Sequence, residues 1–476
     1  MKATLLMVSL LSAIPAFGAE TIELQGVLDL VQANHPLFNK ERLGVAIESK
    51  RRDAALGGKD WRLVASAGFD RQADLVGGFN PERTDTTSGG VSAQRAVWAT
   101  GGRLGVEWTS ARTDSRLRSF NLPFALDLGP SLFYQNEAAV SYTQPLLRNR
   151  GGRLDRLSYD LGEHAVTAAS REAAENQESF LLDIALRFVE WTELDERREI
   201  ASERLALVRR QLATTQKKFK ANLLERVEVL RSENAVRLAE QNLVLTESAW
   251  RAKQTELAVL TKSADLRQMK PDYDLHALLK RPDLKEAMER LRRNSRVLKG
   301  LAARQDQAKR RLKGLADASL PELALDARLA QKDGASESGG SLGLDRTDAR
   351  VGLLFQYPFG NRKAKADRAG GEFELARLKH CSEEAELALE AALRELLIRI
   401  EGMEQVLDLN KKHLKTARAK TVEEQKLYDQ GRGDLTFVIQ SQDNEEDSRL
   451  TNAANAAVYH ALHLRLKALL DELHQG

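Results

Sequence analysis

Few side chains in this sequence are spaced for chemistry. His460 and His463 stand three apart, which puts two imidazoles on one helix face and can begin a metal site, but no third ligand lies nearby in sequence. The glycine pairs Gly151-Gly152 and Gly370-Gly371 lie in or beside helical runs and lack the strand–turn–helix setting that lets a glycine loop cradle phosphate. No cluster of Met, His and Cys suggests a metal-handling duct. Arg148, Arg150, Arg153 and Arg156 form a basic cluster suited to lipid phosphates or to salt bridges with neighbouring helices. Cys381 is the single cysteine and sits in a helical run, so no internal disulfide forms. The chain reads as a non-enzyme with no cofactor, and its function has to come from what its elements build.

Those elements occur twice. Tyr142-Thr143-Gln144-Pro145, Asn149-Arg150 and Asp155-Arg156 return as Phe355-Gln356-Tyr357-Pro358, Asn361-Arg362 and Asp367-Arg368. Each copy follows an alternating apolar/polar run and precedes a long helical pattern, and such self-similarity fixes architecture before any local reading. A first repeat is expected over 19–270, with strands within 62–147 and a helical hairpin over 149–262. A second is expected over 271–476, with strands within 320–358 and a hairpin over 361–473.

The strands declare themselves by a period of two. Leu63, Ala65, Ala67 and Phe69 oppose Val64, Ser66, Gly68 and Asp70. A loop at Gly77–Pro81 leads to a return strand with Val91, Ala93 and Val97, which ends at the turn Ala99-Thr100-Gly101-Gly102. Leu104, Val106 and Trp108 follow and, after a long loop, Ala138, Val140 and Tyr142. The second repeat offers Leu323, Leu325, Ala327 and Leu329, a Gly/Ser loop at 334–343, then Ala349, Val351, Leu353, Phe355 and Tyr357. The extra turn leaves two arrangements for the first repeat: four strands, or a short middle hairpin outside the bilayer. Either way one chain has too few strands to close a barrel. Open strand edges are not tolerated in lipid, so membrane-embedded strands would have to be pooled by several chains.

An amphipathic segment at 22–34 and a helix at 37–59 precede the strands. From Asn149 to Ala221 there is no proline, and Leu181, Ile184, Phe188 and Trp191 keep 3–4 spacing. About 70 residues at a rise of ~1.5 Å make a rod of about 105 Å. Its partner repeats every seven residues at Val229, Val236, Leu243, Trp250 and Leu257, with Leu238, Leu245, Ala252 and Val259 alongside, a coiled-coil pattern. The second repeat follows this plan over Lys363–Gln430 and Leu435–Leu473, with a seam through Leu450, Ala454, Ala457, Ala461, Leu464 and Ala468. Pro282 is expected to open its short helix. The hairpin tips are brief, Ala221–Glu225 and Gly431–Asp434; Gly431 suits a helix end and Asp434 an N-cap.

A net charge of +3 with 30% charged residues is nearly balanced and gives no reason to expect nucleic acid. Lys2, the apolar stretch Ala3–Ile14, Pro15 and the small Ala16 and Gly18 read as a secretory signal over 1–18. Past it there is no apolar run of about 18 residues to make a transmembrane helix, whereas a barrel strand needs only about ten alternating residues.

With these parts in order, the chain resembles the TolC-like outer membrane factors of Gram-negative efflux and secretion systems. The resemblance covers essentially all of the mature chain. It rests on Asn34-His35-Pro36-Leu37 and Arg281-Pro282-Asp283-Leu284 opening the repeats, Gln144-Pro145-Leu146-Leu147 after a strand, and Tyr428-Asp429-Gln430-Gly431 before a tip. It implies an α+β, mainly α fold, internally duplicated, whose long antiparallel hairpins form an α-barrel and whose strands join a shared trimeric transmembrane β-barrel. It implies a homotrimer in outer-membrane lipid with a periplasmic extension, meeting a periplasmic adaptor (membrane fusion) protein and, through it, an inner-membrane pump. Such a protein is the exit duct of a tripartite efflux or type I secretion system. The competing class is a soluble periplasmic coiled-coil adaptor or scaffold, which normally has one hairpin between β-rich domains rather than two sharing strands.

The resemblance also implies an entrance gate just past the tips, lined by acidic residues. Counted from Phe219, the first repeat's acidic position falls on Glu228. Counted from Tyr428, the second repeat's positions fall on Phe437 and Gln440, so a hydrophobic or amide constriction is expected there. Leu223, Leu224, Arg432 and Gly433 at the tips are the expected adaptor contacts, since exposed adjacent leucines call for a partner.

Overall fold

The computed structural model describes residues 20–73, 81–116, 131–337 and 340–473. The expected signal segment and most of the Gly77–Pro81 loop lie outside them. In chain order the elements are β1 (Thr21–Ile22), α1 (Leu24–Asn34), α2 (Pro36–Ala54), β2 (Arg62–Ala73), β3 (Arg83–Val97), β4 (Gly102–Arg116) and β5 (Leu132–Pro145). Next come α3 (Leu157–Lys220), α4 (Arg226–Thr261), β6 (Lys270–Pro271), α5 (Leu284–Asn294) and α6 (Arg296–Ala318). The last are β7 (Glu322–Ala335), β8 (Arg346–Gln356), α7 (Arg362–Asp429) and α8 (Leu435–Leu469). None of the described helices is long and apolar enough to cross a membrane.

The chain divides into two compact units, one of them made of Gly44–Ser170 and Gly300–Glu383. Its centre is a six-stranded antiparallel sheet in the order β2-β3-β4-β5-β7-β8. The first repeat thus contributes four strands. β3 and β4 each run for 15 residues, so the middle hairpin is not a short one. Residues directly opposite each other in a ladder share a face. Leu63, Ala93, Val106, Val140, Leu329 and Ala349 form one such row across all six strands. Ser66, Gly90, Thr109, Glu137, Lys332 and Arg346 form a row on the opposite face. The period-two alternation therefore adds up to an apolar patch around the Leu63–Ala349 row, bounded on the same face by Ser110, Arg112, Asn136, Gln331 and Asp333, and a polar opposite face. On the polar face Arg328 bonds Glu137 at 2.6 Å and Glu107 at 3.3 Å.

The β3–β4 turn is fixed to the corner that follows β5. The Gly151 N–H and the Gln144 Nε2 both donate to the Thr100 carbonyl, each at 3.0 Å, and the Tyr142 hydroxyl lies 2.7 Å from Thr100 Oγ1. Approach is so close that a Cβ on Gly101 would come within 2.1 Å of the Asn149 carbonyl oxygen. The corner also delays α3. Asn149, Gly151 and Gly152 take left-handed φ values of 63°, 66° and 67°, so α3 starts at Leu157 rather than near Asn149. Its 64 residues make a rod of about 96 Å. The arginines near this corner bind neighbours: Arg153 reaches Asp317 at 3.8 Å, Arg148 reaches Glu322 at 4.0 Å, and Arg156 donates to the Gly151 carbonyl at 3.0 Å.

The other unit comprises Met1–Leu43, Arg171–Lys299 and Glu384–Gly476. Its core gathers the expected stripe Leu181, Ile184, Phe188 and Trp191 with Val27 and Val31 of α1, Leu257 of α4, Leu393 and Ile400 of α7, and Tyr459 of α8. All of these are fully buried. Asp283, not Pro282, caps α5, its carboxylate accepting from the Lys285 N–H at 3.1 Å. On α4 the companion stripe stays bare: Leu238, Leu245 and Val259 are each more than half exposed. Both of α4's heptad stripes were visible in the sequence, and one chain buries the first far better than the second.

Candidate functional site at the hairpin tips

The two tips reverse the chain by different chemistry. At the first, Asn222 takes a φ of 57° and the Leu223 N–H returns to the Lys218 carbonyl at 3.0 Å, closing the end of α3. Leu223 is left 72% exposed and Leu224 half-buried, and Glu225 precedes α4 without a capping side chain. At the second tip Gly431 supplies a φ of 71°, a conformation that side chains resist. The Arg432 and Gly433 N–H groups both donate to the Leu427 carbonyl, at 2.9 and 3.1 Å. A Cβ on Gly433 would stand 2.9 Å from the Tyr428 nitrogen. Asp434 then caps α8, its carboxylate accepting from the Thr436 N–H at 2.7 Å, and that bond holds its pKa below the ordinary carboxylate value. Tyr428, Leu435 and Val438 pack beneath this tip as a small buried cluster. Arg432 is exposed and Gly433 half-buried.

Just past the tips, Glu228 is not a free carboxylate. Arg231 Nη1 bonds its Oε1 at 2.7 Å and the Thr436 hydroxyl at 3.1 Å, which ties α4 to α8. The other oxygen, Oε2, is buried without a hydrogen-bond partner. Gln440 lines the same groove, about 710 Å³ between α3, α4 and α8, together with Arg231, Asn234, Asn242 and Glu446. Phe437 is 56% exposed and belongs to neither this groove nor the cluster beneath the tip. Arg231 thus bonds Glu228 and lines the groove that Gln440 also lines, while Phe437 and Leu223 are left exposed.

The floor of that groove carries a residue the sequence reading passed over. Arg204, only 9% exposed, donates to Gln442 Oε1 at 2.7 Å, pairs with Asp443, and reaches Glu446 at 3.2 Å. Burial raises the Glu446 pKa, and the Arg204 charge opposes that rise. The clue was available: Ile200, Arg204 and Val208 stand four apart, so a guanidinium occupies a seam position and must find acids on whatever helix packs there.

The histidine pair on α8 is already engaged. His460 donates from Nε2 to the Leu275 carbonyl at 3.0 Å, leaving Nδ1 to accept from the Tyr273 hydroxyl at 2.8 Å; burial lowers its pKa, consistent with a neutral ring. His463 stacks edge-on against Tyr459 at 4.6 Å with Nε2 buried and unpartnered, and burial pushes its pKa down to about 4.

No family model matches the chain, and no curated protein matches it significantly in sequence. Solved structures do match. The outer-membrane channel OprN aligns over 94% of this chain and 89% of its own, with a TM-score of 0.67 and 13% identity. CusC, described in terms of folding and transmembrane channel formation, gives 0.68 at 10% identity, covering 94% of this chain and 91% of its own. The Campylobacter jejuni CmeC outer membrane channel gives 0.64 at 11% identity, covering 94% and 85%. The fold, long hairpins with one antiparallel sheet and covering nearly the whole length, is the fold of these channels.

Proposed function

We propose that the chain is an outer-membrane exit duct, passing substrates from periplasm to exterior as part of a tripartite efflux or type I secretion system. The observation that carries this reading is the sheet. Leu63, Phe69, Val106, Val140, Leu329, Val351 and Phe355 all stand exposed on its apolar face, while its other face is charged. Along β2 the apolar run goes from Trp61 to Phe69 and ends at Arg71; along β4 it ends at Ser110 and Arg112, and along β7 at Gln331 and Asp333. The nine residues from Trp61 to Phe69, at about 3.3 Å each and tilted by about 40°, span about 23 Å, close to the height of an outer-membrane hydrocarbon band. A soluble adaptor has no use for such a band. The bare stripe of Leu238, Leu245 and Val259 supports a homotrimer, since a second seam on one helix needs a second helix from another copy.

On this reading Glu228, Gln440 and Phe437 sit at the periplasmic gate, Phe437 as an apolar constriction, and Leu223, Leu224, Arg432 and Gly433 meet a periplasmic adaptor that leads to an inner-membrane pump. Recording from planar bilayers tests both levels. The wild-type protein should form channels, and Phe437→Ala should raise the closed-state conductance. Unchanged conductance removes Phe437 from the gate, and the absence of any channel removes the duct.

A further inference from the structure

The six-stranded ladder ends in two bare edges. Every residue of β2 is exposed, and so is every residue of β8 except Gly352. In lipid each unpaired backbone group costs several kcal/mol, so neither edge can stay open there. Direction alternates along the ladder, which makes β2 and β8 antiparallel. The β8 edge of one copy therefore meets the β2 edge of the next as an ordinary antiparallel neighbour. Both edges place most of their apolar residues at odd positions, Leu63, Ala65, Ala67 and Phe69 on β2 and Ala349, Val351, Leu353 and Phe355 on β8, with Val64 and Leu354 the even exceptions. A joint that sets odd against odd continues the apolar face without a break, and a slip of one residue would turn every side chain to the wrong side.

The sheet does not shed strands easily. β3 and β4 are paired along their whole length, from Arg83↔Arg116 to Val97↔Gly102, and the turn between them is held by the three Thr100 contacts at the β5 corner. Building on the duct reading, we propose that three copies join β2 to β8 and close a barrel of eighteen strands, six from each. With strands about 4.8 Å apart and tilted about 40°, eighteen enclose a backbone ring about 36 Å across, against about 24 Å for twelve. The inward face mixes Glu107, Glu137 and Asp348 with Arg328, Lys332 and Arg346, so this mouth is wide and discriminates little by the sign of a solute's charge.

Cross-linking tests the joint. On a Cys381→Ala background, Ala67→Cys is combined in turn with Ala349→Cys, Val351→Cys and Leu353→Cys, and the membranes are oxidised. At least one of these pairs should give a ladder ending at a covalent trimer, and the even-position control Gly352→Cys should give none. Cross-linking of β8 to Val106→Cys on β4, with β2 silent, would mean closure by fewer strands and would overturn the joint while leaving the duct intact. Electron cryomicroscopy of the unaltered protein in detergent reads the same point without substitutions. Eighteen strands in end view, in a ring about 1.5 times as wide as a twelve-stranded one, support the proposal. Twelve strands overturn it, and a monomer with no ring overturns the joint and the duct together.

Discussion

Counted from their first residues, α4 and α8 put Glu228 and Phe437 at the same step, then Arg231 and Gln440, and much farther along Gln254 and His463. The duplicated helices have kept their path while changing what they carry. In the first repeat the step near the tip holds an ion pair, in the second a phenyl ring and an amide. Deep in the core, Gln254 donates to the Met269 carbonyl at 2.8 Å, whereas His463 leaves Nε2 without a partner. Duplication preserves shape because the seams demand it, and it leaves polar positions free to diverge wherever a nearby backbone group or partner helix can absorb the change.

Among substitutions, breaking the link between the repeats should have the largest effect. Arg204→Ala removes a buried guanidinium from half-buried Glu446 and from Gln442, and is expected to lower unfolding stability by about 2 kcal/mol in denaturant titrations, in keeping with the loss of charge-assisted hydrogen bonds. Arg231→Ala, on the more open pair, should cost less than about 1 kcal/mol. The core contrast gives a pH signature of similar size. His463 has its folded pKa lowered, from an ordinary 6.5 to about 4, with Arg281, Lys467 and His460 beside it. The unfolded chain therefore binds the proton more tightly, and stability falls as pH drops from about 6.5 towards 4, by about 3 kcal/mol at the bottom. His463→Gln, which copies the first repeat, should flatten that part of the thermal-melt profile; an unaltered profile would show that the ring does not titrate. The smallest contrast is at the caps. Asp434→Ala should cost about 1 kcal/mol and Glu225→Ala almost nothing, because only the former side chain holds an orphan amide. Equal losses by chemical denaturation would erase the distinction between the tips.

Most of the architecture was legible because it is written in periods. The 3–4 stripe through Leu181 and Trp191 and the alternation through Leu63 and Phe69 each need one local pattern, and the structure uses both. Counting from Phe219 and Tyr428 lands on the same step of α4 and α8, Glu228 and Phe437, because both tips are short. What escaped depends on partners far away in the chain. Arg204 and Gln442 are 238 residues apart, and no local pattern says that they touch. The number of strands in the sheet stayed open because the alternation of Val91 or Val106 fits a strand in lipid and a hairpin outside it equally well. The start of α3 was misplaced by a left-handed Asn149, a conformation that no spacing reveals.

The bare edges of β2 and β8 also bear on how each copy survives its own biogenesis. On the duct reading, a newly exported chain offers, until neighbours arrive, two ready templates for strand addition to any other unfolded polypeptide around it. Escort by a holding factor, or rapid capture by sister copies at the membrane, must therefore outrun aggregation. Yield in the cell should accordingly fall when synthesis is driven faster than that escort can follow.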